Sequence, residues 1–466
     1  MSISINQSLC NMELCEQECI SSCPQNIKNI PTLFVDNDLM LLEEDSCTNC
    51  LLCVNKCPLN AIEIVVGSRL ENNPGSDKKL DIVDEFEDIF YPFEVDPEKY
   101  KPFNEKNVIF SRYRWDKNFS NYNNHPFSGG PTKISLNQEG YSKIEYAASQ
   151  AAWTIENIIT ENENQEFSSS GVVGSKQKPV FDQKNAIKET PENLTIWIKK
   201  FAKFSGANLV GITKYDPNWF YTANRHGENY HFPEDFKSVI VFAVEMDEDG
   251  INTTPRMSSM VATGLGYSKI AFVRSILAKF INNLGYNSIP AGNQVGLSVP
   301  LAVMAGLGGY GRHGLLITKS YGSRVRIAKI VTDMPLIYDK PNKKFIKSVN
   351  RFCDSCFSCA RNCPSASISF EKFSLGKTHS VSNNPGILKY YINPDSCYDF
   401  WIKNGGDCSN CIAFCEYSHS PKIQHKFANF LIQYFPIFNP IWPHIGKLFR
   451  YGGNKPAKKF WKKLKI

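Results

Sequence analysis

Apolar and polar positions divide this chain into stretches of different period. Tyr141–Ile158 and Thr195–Phe204 repeat apolar residues at helical spacing, and Lys269–Leu284 does so strongly before the turn Gly285–Tyr286. Asn208–Ile212 and Ser238–Val244 are short, nearly continuous apolar runs of the kind that form buried strands. Their alternation predicts an α/β core from about residue 190 to 345. Ahead of it, Met1 to about Val66 offers only two strand-like runs, Leu33–Val35 and Ile62–Val66. Residues 67–88 lack an apolar period and predict a linker, while the polar, Ser/Gly-rich residues 161–189 predict an exposed loop within a region that runs from 89 to 189. No apolar run reaches the roughly 18 residues that a membrane-spanning helix needs.

Composition changes this picture in one respect. At 466 residues, 42% of them hydrophobic and 12% aromatic, the chain can build two or three packed domains. A net charge of +6 is mild beside the concentrated basic stripes of nucleic-acid binders, so no nucleic-acid partner is expected. Cysteine is the informative residue: there are 16, grouped at 10–57 and 353–415. Met1–Cys10 carries no basic stretch, apolar segment or arginine pair, so a cytoplasmic, reducing location is expected, where thiolates stay available.

Cys47, Cys50, Cys53 and Cys57 spell C-x2-C-x2-C-x3-C, followed by Pro58, and Cys353, Cys356, Cys359, Cys363 and Pro364 repeat the pattern. Three closely spaced thiolates hold three corners of a [4Fe–4S] cubane, and the fourth cysteine, turned away before proline, ligates a neighbouring cluster. A structural zinc site would want two pairs, and disulfides would not need such tight triplets. The partner motif of the first block is Cys10, Cys15, Cys19 and Cys23 before Pro24; that of the second is Cys397, Cys408, Cys411 and Cys415. Crossed ligation then predicts four ligand sets: Cys10/15/19/57, Cys47/50/53/23, Cys353/356/359/415 and Cys397/408/411/363. Every cysteine is used, which leaves no thiol as a nucleophile and sends the chemistry to the middle of the chain or to another cofactor.

The first block resembles the iron–sulfur domain of the ribosome-recycling ABC ATPase, including its x4/x3 spacing, but no GxxxxGK[ST] loop follows. It reads as a ferredoxin module joined to a different enzyme. From about residue 89 onward the chain resembles the corrinoid-dependent reductive dehalogenases. The resemblance lies in NVIFSRYRWD (107–116), EYAASQAAWTIEN (145–157), VIVFAVEMD (239–247), ATGLGYSKIAF (262–272), the long block 285–317, YGSRVRIAKIVTDMPL (321–336), SNNPG (382–386) and the spacing of Cys397 to Cys415. It implies a mixed α+β and α/β multidomain fold: a ferredoxin-like domain with two clusters (1–66), the linker, a nitroreductase-like cobalamin-binding core (190–345), a second two-cluster ferredoxin-like domain (346–420) and an aromatic, basic tail (421–466). It also implies an organohalide substrate and an electron donor of the reduced ferredoxin or flavodoxin type.

Within that resemblance Tyr267 matches the proton-donor tyrosine and Arg326 its basic partner, while Asn293 and Thr263 match pocket positions. A phenol stays protonated at neutral pH, and a guanidinium beside it stabilises the phenolate left after transfer. Gly306, Gly308, Gly309, Gly311 and Gly314 match the stretch that lies against the corrinoid; read alone they form a turn before the strand Leu315–Thr318. Alone, Tyr267 and Arg326 would read as a packed aromatic and a salt-bridge residue. Two departures stand out: Glu416 follows Cys415 where proline is usual, and a ferredoxin module stands in place of a twin-arginine leader. An epoxyqueuosine reductase-like enzyme acting on tRNA is the nearest alternative, and SRYRW and AAW argue against it. A multi-cluster electron carrier would leave the α/β middle unexplained. The run Lys455, Lys458, Lys459, Phe460, Trp461, Lys462, Lys463, Lys465 suggests peripheral contact with an anionic membrane or an acidic donor.

Overall fold

The computed structural model describes residues 2–7, 10, 15, 17–28, 30–36, 39–43, 46–47, 53–54, 57, 61–65, 91–126, 138–161, 186–376, 378–419, 423–448 and 452–464. Cys50, the linker 67–88 and most of the loop 161–189 lie outside these residues. The chain divides into two compact units, 1–87 with 192–197, and 88–191 with 198–466.

In the first unit β1 (Ser2–Ile5) pairs antiparallel with β4 (Ile62–Val65), and β2 (Leu33–Asp36) with β3 (Leu39–Leu42). β2 and β4 match the two predicted runs; β1 and β3 are additions. Leu33, Met40 and Ile62 are buried with Cys19, Cys23 and Cys53 in one apolar cluster, so the thiols themselves complete the core of this small module.

The second unit is built on a four-stranded sheet of order β5–β6–β10–β7, every pair antiparallel, with β5 at Leu209–Lys214, β6 at Ser238–Glu245, β7 at Ser288–Ala291 and β10 at Val325–Thr332. The two-residue strands β8 (Gly309–Tyr310) and β9 (Leu316–Ile317) form a separate hairpin. β6 is buried along nearly its whole length, which is why its sequence is continuously apolar instead of alternating.

The helices used below are α1 (Lys143–Ala151), α2 (Pro191–Phe204), α3 (Met257–Asn283), α4 (Ser298–Met304), α5 (Lys343–Cys356), α6 (Pro394–Asn404), α7 (Ile423–Tyr434) and α8 (Ala457–Lys463). α3 packs on one face of β10 and α4 on the other. It begins twelve residues before the predicted Lys269, because Met257–Gly266 is buried almost all round and so carries no amphipathic period to read. Residues 346–420, expected as a separate cluster domain, pack in the same compact unit as the sheet. Arg112 of the SRYRW segment explains part of that union: its guanidinium bonds both oxygens of Asp395 on α6 at 2.9 and 3.0 Å.

The basic tail is not a free end. Asn454 and Lys455 donate their backbone N–H to Thr254 and Asn252, Lys463 pairs with Asp249 at 2.9 Å, and the Trp461 indole donates to Glu145 Oε1 at 2.9 Å. The half-buried Trp461 is thus tied to the protein, while Lys458, Lys459, Lys462 and Lys463 stay exposed.

Candidate functional site

Two groups of cysteines and one aromatic constellation stand out in the second unit. Cys353 and Cys356 lie in the last turn and a half of α5, which ends at Phe357 with φ +52°. That left-handed residue reverses the chain, so Cys359 returns toward the same place, and Cys415 arrives from the turn after Asn410–Ala413. All four thiols line one pocket together with Arg312, His313 and Tyr417. Burial pushes the Cys356 thiol up to about 12 and raises the Cys353, Cys359 and Cys415 thiols as well, and the neighbouring cysteines raise Cys353 and Cys359 further. Metal binding reverses this, because a positive centre favours thiolate.

The second group is Cys363, Cys397, Cys408 and Cys411. Burial followed by mutual repulsion raises Cys397 to about 12 and Cys411 well above its ordinary value. Ser367 donates its N–H to Cys363 Sγ at 3.3 Å, a bond that persists to a ligated thiolate. In the N-terminal unit burial, followed by the neighbouring cysteines, raises Cys10 and takes Cys19 up to about 11, and Ala61 donates its N–H to Cys57 Sγ at 3.2 Å. Cys23, Cys47 and Cys53 pack in the same cluster. Among the described residues no three His, Cys, Asp or Glu side chains are gathered for a single metal ion. The thiols of the Cys353 group surround a volume instead, which suits a cubane.

Tyr267 projects from the middle of α3. Its ring stacks on Trp153 with centroids 4.6 Å apart and planes 25° apart, and the Arg326 guanidinium carbon lies 4.6 Å from the ring centroid. Asn293 donates Nδ2 to the Tyr267 hydroxyl at 2.9 Å from an exposed position. The glycines of GLGY make this arrangement fit. A Cβ at Gly264 would meet Trp153 Cδ1 at 2.8 Å, and one at Gly266 would meet Arg326 Cγ and Met246 at 3.0 Å. Thr263 is not an open pocket wall. It is buried, accepting from Arg326 at 3.4 Å and lying 3.4 Å from Ser409 Oγ.

Three further residues escaped the sequence reading. Asp407 is 2% exposed and neither carboxylate oxygen has a hydrogen-bond partner. Its burial pushes the carboxyl up to about 6, opposed by the Arg326 guanidinium, whose own Nε is also buried without a partner. Lys329 is fully buried, on the face of β10 opposite Arg326, and donates Nζ to Gly292 O at 2.6 Å and Ser298 Oγ at 3.1 Å. It thus grips the loop that carries Asn293, where Val295 sits at φ +75°, a strained conformation for a β-branched residue. Arg312 is 1% exposed, bonded to Cys353 O at 2.9 Å and Ser369 O at 2.8 Å, and places a buried cation beside the first thiol group. Its place inside GYGRHG was visible, but its charge was read only as part of a glycine-rich turn.

The glycines of that turn have partners within the protein. A Cβ would meet Lys340 O from Gly306, Ile317 O from Gly308, Val349 from Gly309 and His313 from Gly311, all at 3.3 Å or less. Gly314, at φ +75°, turns the chain into β9. Gly308, Gly309 and Gly311 pack against the β8–β9 hairpin and α5, Gly306 against the segment at Asp339–Lys340, and Gly314 beside Tyr310 and Ile392.

Comparison with known proteins follows from this geometry. A 4Fe-4S binding domain model matches residues 41–63. The tetrachloroethene reductive dehalogenase of Dehalobacter restrictus is 35% identical over 307 residues, 57% of this chain and 55% of that protein. The tetrachloroethene reductive dehalogenase of Sulfurospirillum multivorans is 29% identical over 301 residues, 58% of this chain and 59% of that protein. The chain thus spans between half and three-fifths of the length of these curated relatives. A solved reductive dehalogenase, described with a mechanism for B12-dependent dehalogenation, aligns with TM-score 0.58 and 18% identity over 78% of this chain and 48% of that one. This likeness defines the mixed α/β fold class. An epoxyqueuosine reductase of Aliivibrio fischeri matches a shorter part, 36% of this chain at 32% identity.

Proposed function

We propose that this chain is a cobalamin- and iron–sulfur-dependent reductive dehalogenase that replaces halogen by hydrogen on an organohalide. The observation that carries the reading is the Tyr267 constellation: a hydroxyl held by Asn293, on a ring bearing the Arg326 guanidinium, in a unit where four buried thiols converge on one pocket. The four crossed cysteine sets would hold four [4Fe–4S] clusters, which would supply a path for electrons from a ferredoxin- or flavodoxin-type donor. A cobalamin held at the Tyr267 site would supply the strongly reducing cobalt chemistry that carbon–halogen cleavage needs. The polar atoms left without partners there, Arg326 Nε and the Asp407 carboxylate, suit the polar periphery of such a group.

The residues then have defined work. Tyr267 gives its phenolic proton to the reduced carbon, and Asn293 Nδ2 and Arg326 stabilise the phenolate that remains. Arg326 also presents positive charge to a departing halide. Trp153 and the glycines of α3 hold the ring in place. Gly306, Gly308, Gly309, Gly311 and Gly314 would shape the stretch of backbone that lies against the corrinoid. The N-terminal module, borrowed from a ribosome-recycling-type ferredoxin, feeds the C-terminal pair.

Anaerobic purification, metal analysis and turnover test this directly. About sixteen iron atoms per chain, four for each of four clusters, with one cobalt and halide release from an aryl or vinyl halide are expected. Iron at half that level with no cobalt, or reduction of epoxyqueuosine tRNA without dehalogenation, would overturn it.

A further inference from the structure

One surface of the second unit has no part in this chemistry. α7 turns Phe427, Phe430 and Tyr434 outward at helical spacing, and the following turn adds Ile437, Phe438 and Ile441, with exposures from 46% to 80%. An amphipathic helix normally points such residues inward; this one presents an aromatic ridge to solvent. α5 lies alongside. Its buried face is Phe345, Ile346, Val349 and Phe352, and its outer face carries Lys343, Lys347 and Arg351 at intervals of one turn. The two elements meet where Lys344 Nζ lies 4.1 Å from the Tyr434 ring and Arg351 bonds Gln433 O. Residues 421–466 contain no Asp or Glu. On α5 the one acidic side chain near the stripe is Asp354, bonded by the Tyr390 hydroxyl at 2.6 Å and 3.8 Å from Arg312.

We propose that this ridge and stripe form a docking face for an anionic lipid surface, with the aromatic and aliphatic side chains entering the headgroup–acyl boundary and the cations on α5 meeting lipid phosphates. Charge complementarity favours this occupant. A second copy of the chain, docked ridge to ridge, would set Lys343, Lys347 and Arg351 against their own like. A protein partner would want directional polar groups, whereas the ridge offers Phe, Tyr, Ile and Pro bordered by long cationic side chains, the chemistry of an interfacial segment. The proposal stands independently of the dehalogenase reading.

Flotation of the cluster-loaded full chain with vesicles tests it. Phosphatidylcholine vesicles containing phosphatidylglycerol should carry the protein upward and pure phosphatidylcholine vesicles should not, with binding weakened by salt. K343E/K347E should lower partitioning roughly fivefold or more per reversed charge. F430S/I437S should abolish it, while iron content, circular dichroism and turnover with a chemical reductant stay at wild-type level. Equal binding to both vesicle types, or no effect of either variant, would overturn the proposal. So would a wild-type dimer that F430S/I437S dissociates, since the ridge would then be a self-interface, or saturable binding of an acidic ferredoxin that both variants abolish without lipid.

Discussion

Tyr267 makes the sharpest demand on a single atom. Tyr267→Phe keeps the ring, its stack on Trp153 and its contact with Arg326, but removes the proton and the acceptor for Asn293. Iron content and folding should hold while turnover falls by roughly 10²–10⁴, the usual cost of a lost general acid. Equal rates at matched cofactor content would make Tyr267 a pocket wall. Lys329 gives a second residue-scale prediction, in stability. Burial depresses its amine from the ordinary 10.5 to about 7, with Glu105 opposing and Arg274 assisting. Between those values the unfolded chain holds a proton that the folded chain lacks, so this residue makes stability rise with pH across the window. Below about 7 both states are charged and the full penalty of burying the ammonium applies. Lys329→Met should remove that rise, read as urea midpoints that no longer increase from pH 7 toward pH 10; an unchanged slope would assign the effect elsewhere.

At the scale of elements, α3 shows why local rules and site rules conflict. Glycine within a helix costs roughly 0.5–1 kcal/mol relative to alanine, yet α3 has two glycines, Gly264 and Gly266, in its middle. Gly264→Ala should therefore gain helix propensity and still lose stability, by about 1–3 kcal/mol, because its Cβ would stand 2.8 Å from the indole. Displacement of Trp153 should show as a shifted fluorescence maximum alongside the lower melting temperature. This conflict also marks what could be read beforehand. β6 was legible because a fully buried strand writes itself as an apolar run. The other residues of the site were not. Trp153 lies over a hundred residues away, Asp407 is one residue from a cluster cysteine and overshadowed by it, and Lys329 occupies a polar slot in a strand whose buried face gives no hint that a cation fits there. The sequence gives no sign that Thr263 is buried against Arg326, because that contact joins α3 to β10 across more than sixty residues. The antiparallel strand order depends on contacts between distant segments and has no local signature at all.

At the scale of the molecule, the division into two compact units predicts modular loss. Removing residues 1–67 should leave the second unit folded, with about eight iron atoms and the corrinoid retained. Turnover should persist with a chemical reductant and slow with the natural donor. If the truncation also lost the corrinoid, the N-terminal module would be structural. The cluster blocks were legible here because ligation forces spacing into the sequence itself.

Glu145 shows how closure of the fold relates to synthesis of the chain. Its Oε2 accepts from the Ser142 N–H and hydroxyl at the start of α1, its Oε1 from Ser258 on α3, and the same Oε1 from Trp461, which lies 316 residues downstream. A ribosome delivers these groups in order, so a nascent chain carries the capped α1 and then α3 long before the indole that joins them. Arg112 waits similarly for Asp395, 283 residues later. The early half of the second unit can therefore acquire secondary structure during translation, but its lasting contacts close only as the late segments emerge. Chains stalled between residues 258 and 461 should accordingly resist protease far less than finished ones.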